Sequence, residues 1–300
     1  MSILKIKDLK KKYGNHEVLD GINLQIDSPG IYAVVGPNGA GKTTLFNLIS
    51  NLINADSGTI EVVGKNNSNK DIFFETSFLK DNNVLYDYLT GYDHLNFIKL
   101  AQKLPKDRVE EVVRKLQIES YMSRKVGDYS LGMKQHLLIA LAMLNQPKLM
   151  ILDEPLNGLD PTAVIKVRYL FKEIVSQGTA ILFSSHTLSE IDKLTSNIMF
   201  LKDGRIVEKN IDYSNENIYI LEIENISDIS FNDIDFTGFD WSIYENKLKV
   251  ELKSKSLNEL LQLLLNNNIN IMDINRYKKG SEEKYIEMFP EEMEKIKEYM

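Results

Sequence analysis

Gly36-Pro37-Asn38-Gly39-Ala40-Gly41-Lys42-Thr43 is the stretch that decides the fold of this 300-residue chain. It fits G-x-x-x-x-G-K-[ST], follows a β-rich run at 31–36 and opens a run of helical spacing at 43–52. The chemistry calls for these residue types. Glycines let the backbone curl until successive N–H groups point at one phosphate. The helix that follows begins at its positive dipole end, which favours the same anion. Lys42 supplies a mobile cation for the outer phosphates, and Thr43 a hydroxyl oxygen of the kind that Mg²⁺ prefers. A chance glycine turn beside a surface lysine would lack the strand before and the helix after.

Further along, residues 149–153 form a continuous apolar run that ends in Asp153-Glu154, and residues 180–184 form another. Such runs are expected of strands buried on both faces, in a sheet containing parallel strands with helices packed on it. A buried strand ending in two acids puts carboxylates at the sheet's C-terminal edge, beside the phosphate loop. Asp153 is then suited to hold Mg²⁺ and Glu154 to act as general base on a water. Taken alone, the pair also reads as a strand end with solvated acids.

From about 85 to 145 the pattern turns helical. Thr90 can cap a helix carrying Leu95, Ile98 and Leu100. Residues 107–116 set Val109, Val112, Val113 and Leu116 against a face of Glu and Arg. A third, strongly apolar helix is expected at 135–144. Just before it, Ser130 and Gly132 in Tyr129-Ser130-Leu131-Gly132-Met133-Lys134-Gln135 suggest an anion-binding corner. One phosphate loop and a second phosphate corner imply a nucleotide shared with another copy. A plain capped helix is the alternative reading.

Residues 210–300 read as a separate small α+β unit, with strands at 218–224, 248–252 and 269–274 and a helix at 257–265. Charge divides at the same place. Residues 1–209 carry a net +2 and residues 210–300 a net −9. The acidic balance argues against nucleic acid as a partner, since phosphate backbones need clustered positive charge. The chain has no cysteine, so disulfides and thiolate metal sites are excluded. The start, Ile3-Leu4-Lys5-Ile6-Lys7, alternates like a strand, so no signal peptide is expected. No apolar run approaches the ~20 residues that cross a bilayer.

In order and spacing, these stretches resemble an ATP-binding subunit of an ABC transporter over about residues 3–208. The glycine loop resembles the Walker A motif, residues 149–154 Walker B, and residues 130–135 the signature motif. Gly158-Leu159-Asp160 resembles the D-loop, and His186 in Ser184-Ser185-His186 the switch histidine that contacts the γ-phosphate. The resemblance implies an α/β P-loop NTPase of the ABC type, residues 1–209, with a helical subdomain. It implies ATP hydrolysis with Mg²⁺ held by Thr43 and Asp153, and catalysis by Glu154 and His186. ATP is expected on Gly36 to Thr44, including Thr44 itself, with adenine on Tyr13. Ser130, Gly132, Met133, Lys134 and Gln135 are expected to reach the ATP of a partner protomer, with Asp160 crossing the interface. The assembly implied is a homodimer, or a heterodimer with a related ATPase, on a separate transmembrane permease at the cytoplasmic face of the membrane. Asp81 falls where the family has Gln or Glu, and Asp is shorter by one methylene. His136 stands where Arg is frequent. The wording of the signature motif and the extra C-terminal segment resemble the exporter branch, which includes multidrug, antibiotic-peptide resistance and lantibiotic-immunity subunits. The alternatives are an ABC-type ATPase acting on ribosomes or DNA, and a weakly hydrolysing regulator gated by nucleotide. Residues 283–289 resemble a short closing helix found in the exporter subunits.

Overall fold

The computed structural model describes residues 2–80, 82–209, 217–244, 246–277 and 280–291. These divide into two compact units. One contains the described residues up to 209 together with 285–291, and the other the described residues between 217 and 284.

The first unit runs β1 (Leu4–Tyr13), β2 (His16–Ile26), β3 (Gly30–Val35), α1 (Lys42–Ile49), β4 (Ser57–Val62), β5 (Lys65–Asn66) and β6 (Thr76–Leu79). Three helices follow, α2 (Gly91–Ala101), α3 (Arg108–Leu116) and α4 (Leu131–Met143). Then come β7 (Leu149–Leu152), α5 (Pro161–Ser176), β8 (Ala180–Ser184), α6 (Leu188–Asp192), β9 (Ile198–Lys202) and β10 (Arg205–Lys209). The central sheet has the order β10-β9-β3-β8-β7-β6, parallel throughout except for β10 on its edge. Every residue of β7 and β8 is buried, as continuous apolar strands in a covered parallel sheet should be. A second sheet, antiparallel and ordered β2-β1-β4-β5, closes over α1. Leu4, Ile6 and Ile22 of that sheet, Leu45 and Phe46 of α1, and Val34 and Leu182 of the central sheet share one core. That core fixes the helix whose first residues are Lys42 and Thr43.

The helical segment forms because its start and stop signals are explicit. The Thr90 hydroxyl accepts the Asp93 N–H and the Asp93 carboxylate accepts the Thr90 N–H, a reciprocal cap for α2. Leu95 is buried, whereas Leu100 points to solvent. Helix α3 buries Val109, Val112 and Val113, but Arg108, expected on the polar face, is buried too. Its Nε and Nη2 donate to the carbonyls of Leu144 and Met143 at 2.8 and 2.9 Å, satisfying the C-terminal end of α4. Helix α4 starts at Leu131 rather than at 135, because Ser130 caps it by accepting the Met133 N–H at 3.3 Å.

The second unit is an antiparallel sheet of β11 (Ile218–Ile223), β12 (Phe239–Tyr244), β13 (Lys247–Leu252) and β14 (Ile271–Arg276), ordered β12-β13-β11-β14. Its helix α7 (Leu257–Asn266) is capped by Ser256 and Glu259. Leu221, Leu248, Val250, Leu260 and Leu264 form its core. Strand β14 begins later than the 269–274 reading, with Ile269 buried ahead of it. A further helix, α8, spans Ser281–Met288. The reading that placed 210–300 in one C-terminal unit needs correcting at its end, because residues 285–291 pack on the first unit. Among the described residues no helix is long and apolar enough to cross a membrane.

Candidate active site

The site lies at the C-terminal edge of β3, β7 and β8. Strand β3 delivers Gly36 into so tight a place that a Cβ there would lie 2.6 Å from the Leu201 carbonyl oxygen, so only glycine fits. The loop then turns into α1, whose first-turn N–H groups have no intrahelical partner and point toward an incoming anion. Lys42 lies across the loop, its Nζ donating to the carbonyls of Gly36 at 2.6 Å and Pro37 at 3.1 Å. Burial pushes its ammonium below the ordinary lysine value, and the charges of Glu154 and Asp153 push the other way.

Strand β7 delivers the carboxylates. Thr43 Oγ1 donates to Asp153 Oδ2 at 2.8 Å, which brings the two expected metal-holding oxygens into contact. Glu154 leaves the strand with φ of 51°, a left-handed conformation that costs a non-glycine residue about 1–3 kcal/mol. Its N–H is held by Ser184 Oγ at 2.9 Å, and its Oε2 lies 2.8 Å from His186 Nδ1.

Ser184 escaped the sequence reading as a site residue. The hydroxyl is fully buried, donates to Asp153 Oδ1 at 2.5 Å and accepts the Glu154 N–H. One side chain therefore aims one carboxylate and pins the turn that aims the other. The legible signal was a polar residue ending an apolar strand two places before His186. Ser184→Ala removes the acceptor for a half-buried N–H, a loss of about 1 kcal/mol, and releases Asp153. We expect ATP turnover to fall about tenfold, as expected for slightly misplaced reacting groups. Phosphate-release assays and urea unfolding check this, and unchanged values in both would remove Ser184 from the site.

The residues expected as signature and D-loop pack against each other. Ser130 caps α4, Lys134 Nζ pairs with Asp87 at 3.0 Å, and Gln135 Nε2 donates to the Pro155 carbonyl at 2.8 Å, tying α4 to the turn after Glu154. Gly158 is φ-positive, and a Cβ there would meet Leu131 Cδ2 at 2.3 Å, so the D-loop backbone lies against the signature segment. Asp160 caps α5 by accepting the N–H groups of Thr162 and Ala163. Burial pushes the His136 imidazole below its ordinary value, opposed by Asp160. Among the described residues, the hydrogen bonds of 130–135 do not reach 36–44. Tyr13 ends β1 with half its surface exposed, and Lys11 Nζ lies 5.5 Å from its ring centroid. Asp81 lies outside the described residues.

Residues 19–157 match the protein-family model described as ABC transporter. The chain is 36% identical over 235 residues to the lantibiotic transport ATP-binding protein SrtF of Streptococcus pyogenes, covering 78% of this chain and 98% of that protein. Over 211 residues it is 36% identical to the bacitracin transport ATP-binding protein BcrA of Enterococcus faecalis, covering 69% of this chain and 68% of that protein. A solved structure of an ATP binding subunit of an ABC transporter superposes with a TM-score of 0.66 at 27% identity, covering 87% of this chain and 99% of that one. The chain belongs to the ATP-binding proteins of ABC transporters, and as such it is an ATPase.

Proposed function

We propose that two copies of this chain clasp two ATP molecules head to tail and drive export of an antimicrobial peptide or drug through a separate membrane subunit. The observation that carries the ATPase half is the single cluster of Lys42, Thr43, Asp153, Glu154 and His186 at one sheet edge. Thr43 and Asp153 offer two hard oxygens 2.8 Å apart, a donor set that suits Mg²⁺, and these residues would hold it. Bound there, Mg²⁺ supplies charge neutralisation to the outer phosphates. Lys42 turns from its own loop carbonyls to those phosphates. Glu154 takes the proton of the attacking water, and His186 orients Glu154 and reaches the γ-phosphate. Tyr13 stacks on adenine.

The lack of any hydrogen bond between 130–135 and 36–44 among the described residues supports a shared site, in which Ser130, Gly132 and the start of α4 complete the partner's nucleotide pocket, with Met133, Lys134, Gln135 and Asp160 lining the interface. The absence of native cysteine makes a direct test available. In the Glu154→Gln background, Asn38→Cys and Ser130→Cys should crosslink between protomers through a short thiol reagent with MgATP, and far less with MgADP. Crosslinking indifferent to nucleotide, or none, would defeat the head-to-tail dimer.

The membrane partner has a place to dock. A groove of about 690 Å³ opens between the helical segment and the sheets, lined by Leu52, Phe73, Val84, Tyr86 and Phe97, each well exposed. A segment bringing apolar side chains would cover the exposed lining, and the names of the relatives in lantibiotic and bacitracin transport support an exporter at the inner face of the membrane.

A further inference from the structure

Residues 285–291 return to the unit that carries the phosphate loop. Lys202, the last residue of β9, donates from Nζ to the Met288 carbonyl at 2.6 Å, lies 5.6 Å from the Phe289 ring centroid and 3.6 Å from the Glu291 carboxylate. A cation at a helix C-terminus complements its dipole and satisfies a free carbonyl. Phe289 is buried to 1% exposure, and the Tyr285 ring, one turn earlier, sits 4.6 Å from it.

Strand β9 is not a neutral anchor. It pairs with β3, Val35 opposite Phe200, and its Leu201 carbonyl is the atom that Gly36 approaches so closely. Adjacent residues of one strand thus touch the first glycine of the phosphate loop and grip α8. Tyr285 in turn forms one wall of a 480 Å³ cavity whose other walls include Gly36, Pro37, Asn38, Ser185 and His186. The cavity belongs wholly to the first unit. It opens on the side of the loop where His186 meets Glu154, and Lys42 and Thr43 do not line it.

We infer that Tyr285 is a positioning residue for ATP hydrolysis. Its ring closes the cavity that the 36–38 and 185–186 turns share, so that Tyr285 forms part of the ATPase site. The inference rests on the ATPase reading above. Because the wall includes His186 but not Lys42 or Thr43, the effect falls on turnover more than on ATP affinity.

The test uses the full chain and compares wild type, Tyr285→Ala, Tyr285→Phe and Lys202→Met, with Glu154→Gln as control. We expect Tyr285→Ala to lower kcat about tenfold with KM for ATP within about twofold of wild type, the signature of displaced reacting groups. Tyr285→Phe keeps the ring and should retain most of the turnover. Lys202→Met releases the helix end and should show the same kcat-only defect. In the Glu154→Gln protein, MgATP should also slow amide hydrogen exchange at 285–289 relative to the nucleotide-free protein. The inference fails if Tyr285→Ala turns over at the wild-type rate, if kcat, KM and melting temperature worsen together, or if exchange at 285–289 ignores MgATP. The ATPase reading fails separately, if Glu154→Gln hydrolyses ATP as fast as wild type.

Discussion

Glu154→Gln is expected to slow steady-state ATP turnover by about 10²–10⁴-fold, the usual contribution of a positioned general base. The local structure gives no reason for a larger disturbance. The left-handed turn is held through the backbone N–H on Ser184, which the substitution does not touch. Glutamine can still offer an oxygen to His186, and it fills the same volume. What disappears is the basic carboxylate, and with it the acceptor for the water's proton. ATP affinity should therefore stay close to wild type, because Lys42 and the loop are unaltered. Phosphate release at saturating MgATP, paired with equilibrium binding of labelled ATP, separates the two quantities. Near-normal turnover would strip Glu154 of its role, whereas lost binding would mean that the residue supports the loop instead.

Lys42→Met is expected to act in the opposite way, weakening ATP binding about 10- to 100-fold, as hydrogen bonds to charged groups are worth roughly 1.5–3 kcal/mol. The ammonium lies folded onto Gly36 and Pro37 carbonyls, partly withdrawn from water, so its stem is already packed in place. Methionine keeps most of that stem and deletes the cation. An arriving triphosphate would then find backbone N–H groups without a counter-charge, in a site where Asp153 and Glu154 add repulsion. Isothermal titration with ATP and with ADP measures the loss, which should be larger for ATP because the missing cation serves the outermost phosphate. Equal affinities for wild type and variant would remove Lys42 from the phosphate contacts.

The glycine loop, both carboxylates and His186 were legible because each depends on local order: a strand, then a residue type that strands and helices do not otherwise favour at that point. The continuous apolar runs of β7 and β8 were equally plain. Other features answer to distant partners. Apolar spacing alone starts α4 at 135, four residues late, whereas the capping chemistry of Ser130, itself a local signal, sets the start at Leu131. Arg108 looked like a surface charge, since nothing near it in sequence announces the carbonyls of Met143 and Leu144. The β2-β1-β4-β5 sheet is obscured by register shifts, and by Asp8 at φ of 46° within a strand. The return of residues 285–291 to the first unit was out of reach, because a short amphipathic helix does not state which surface it covers.

The strand order of the central sheet bears on how the protein is made. Strand β3, which carries the glycine loop, is hydrogen-bonded on one side to β8 and on the other to β9, both encoded far downstream. While the ribosome is still short of Ala180, the loop has neither flanking strand and its apolar residues Val34 and Val35 lack their lateral partners. Such long-range parallel pairing is slow and exposes sticky intermediates. Nascent chains halted upstream of that point should bind no nucleotide and recruit chaperones, and the ability to hold ATP should emerge abruptly once Lys202 has cleared the exit tunnel.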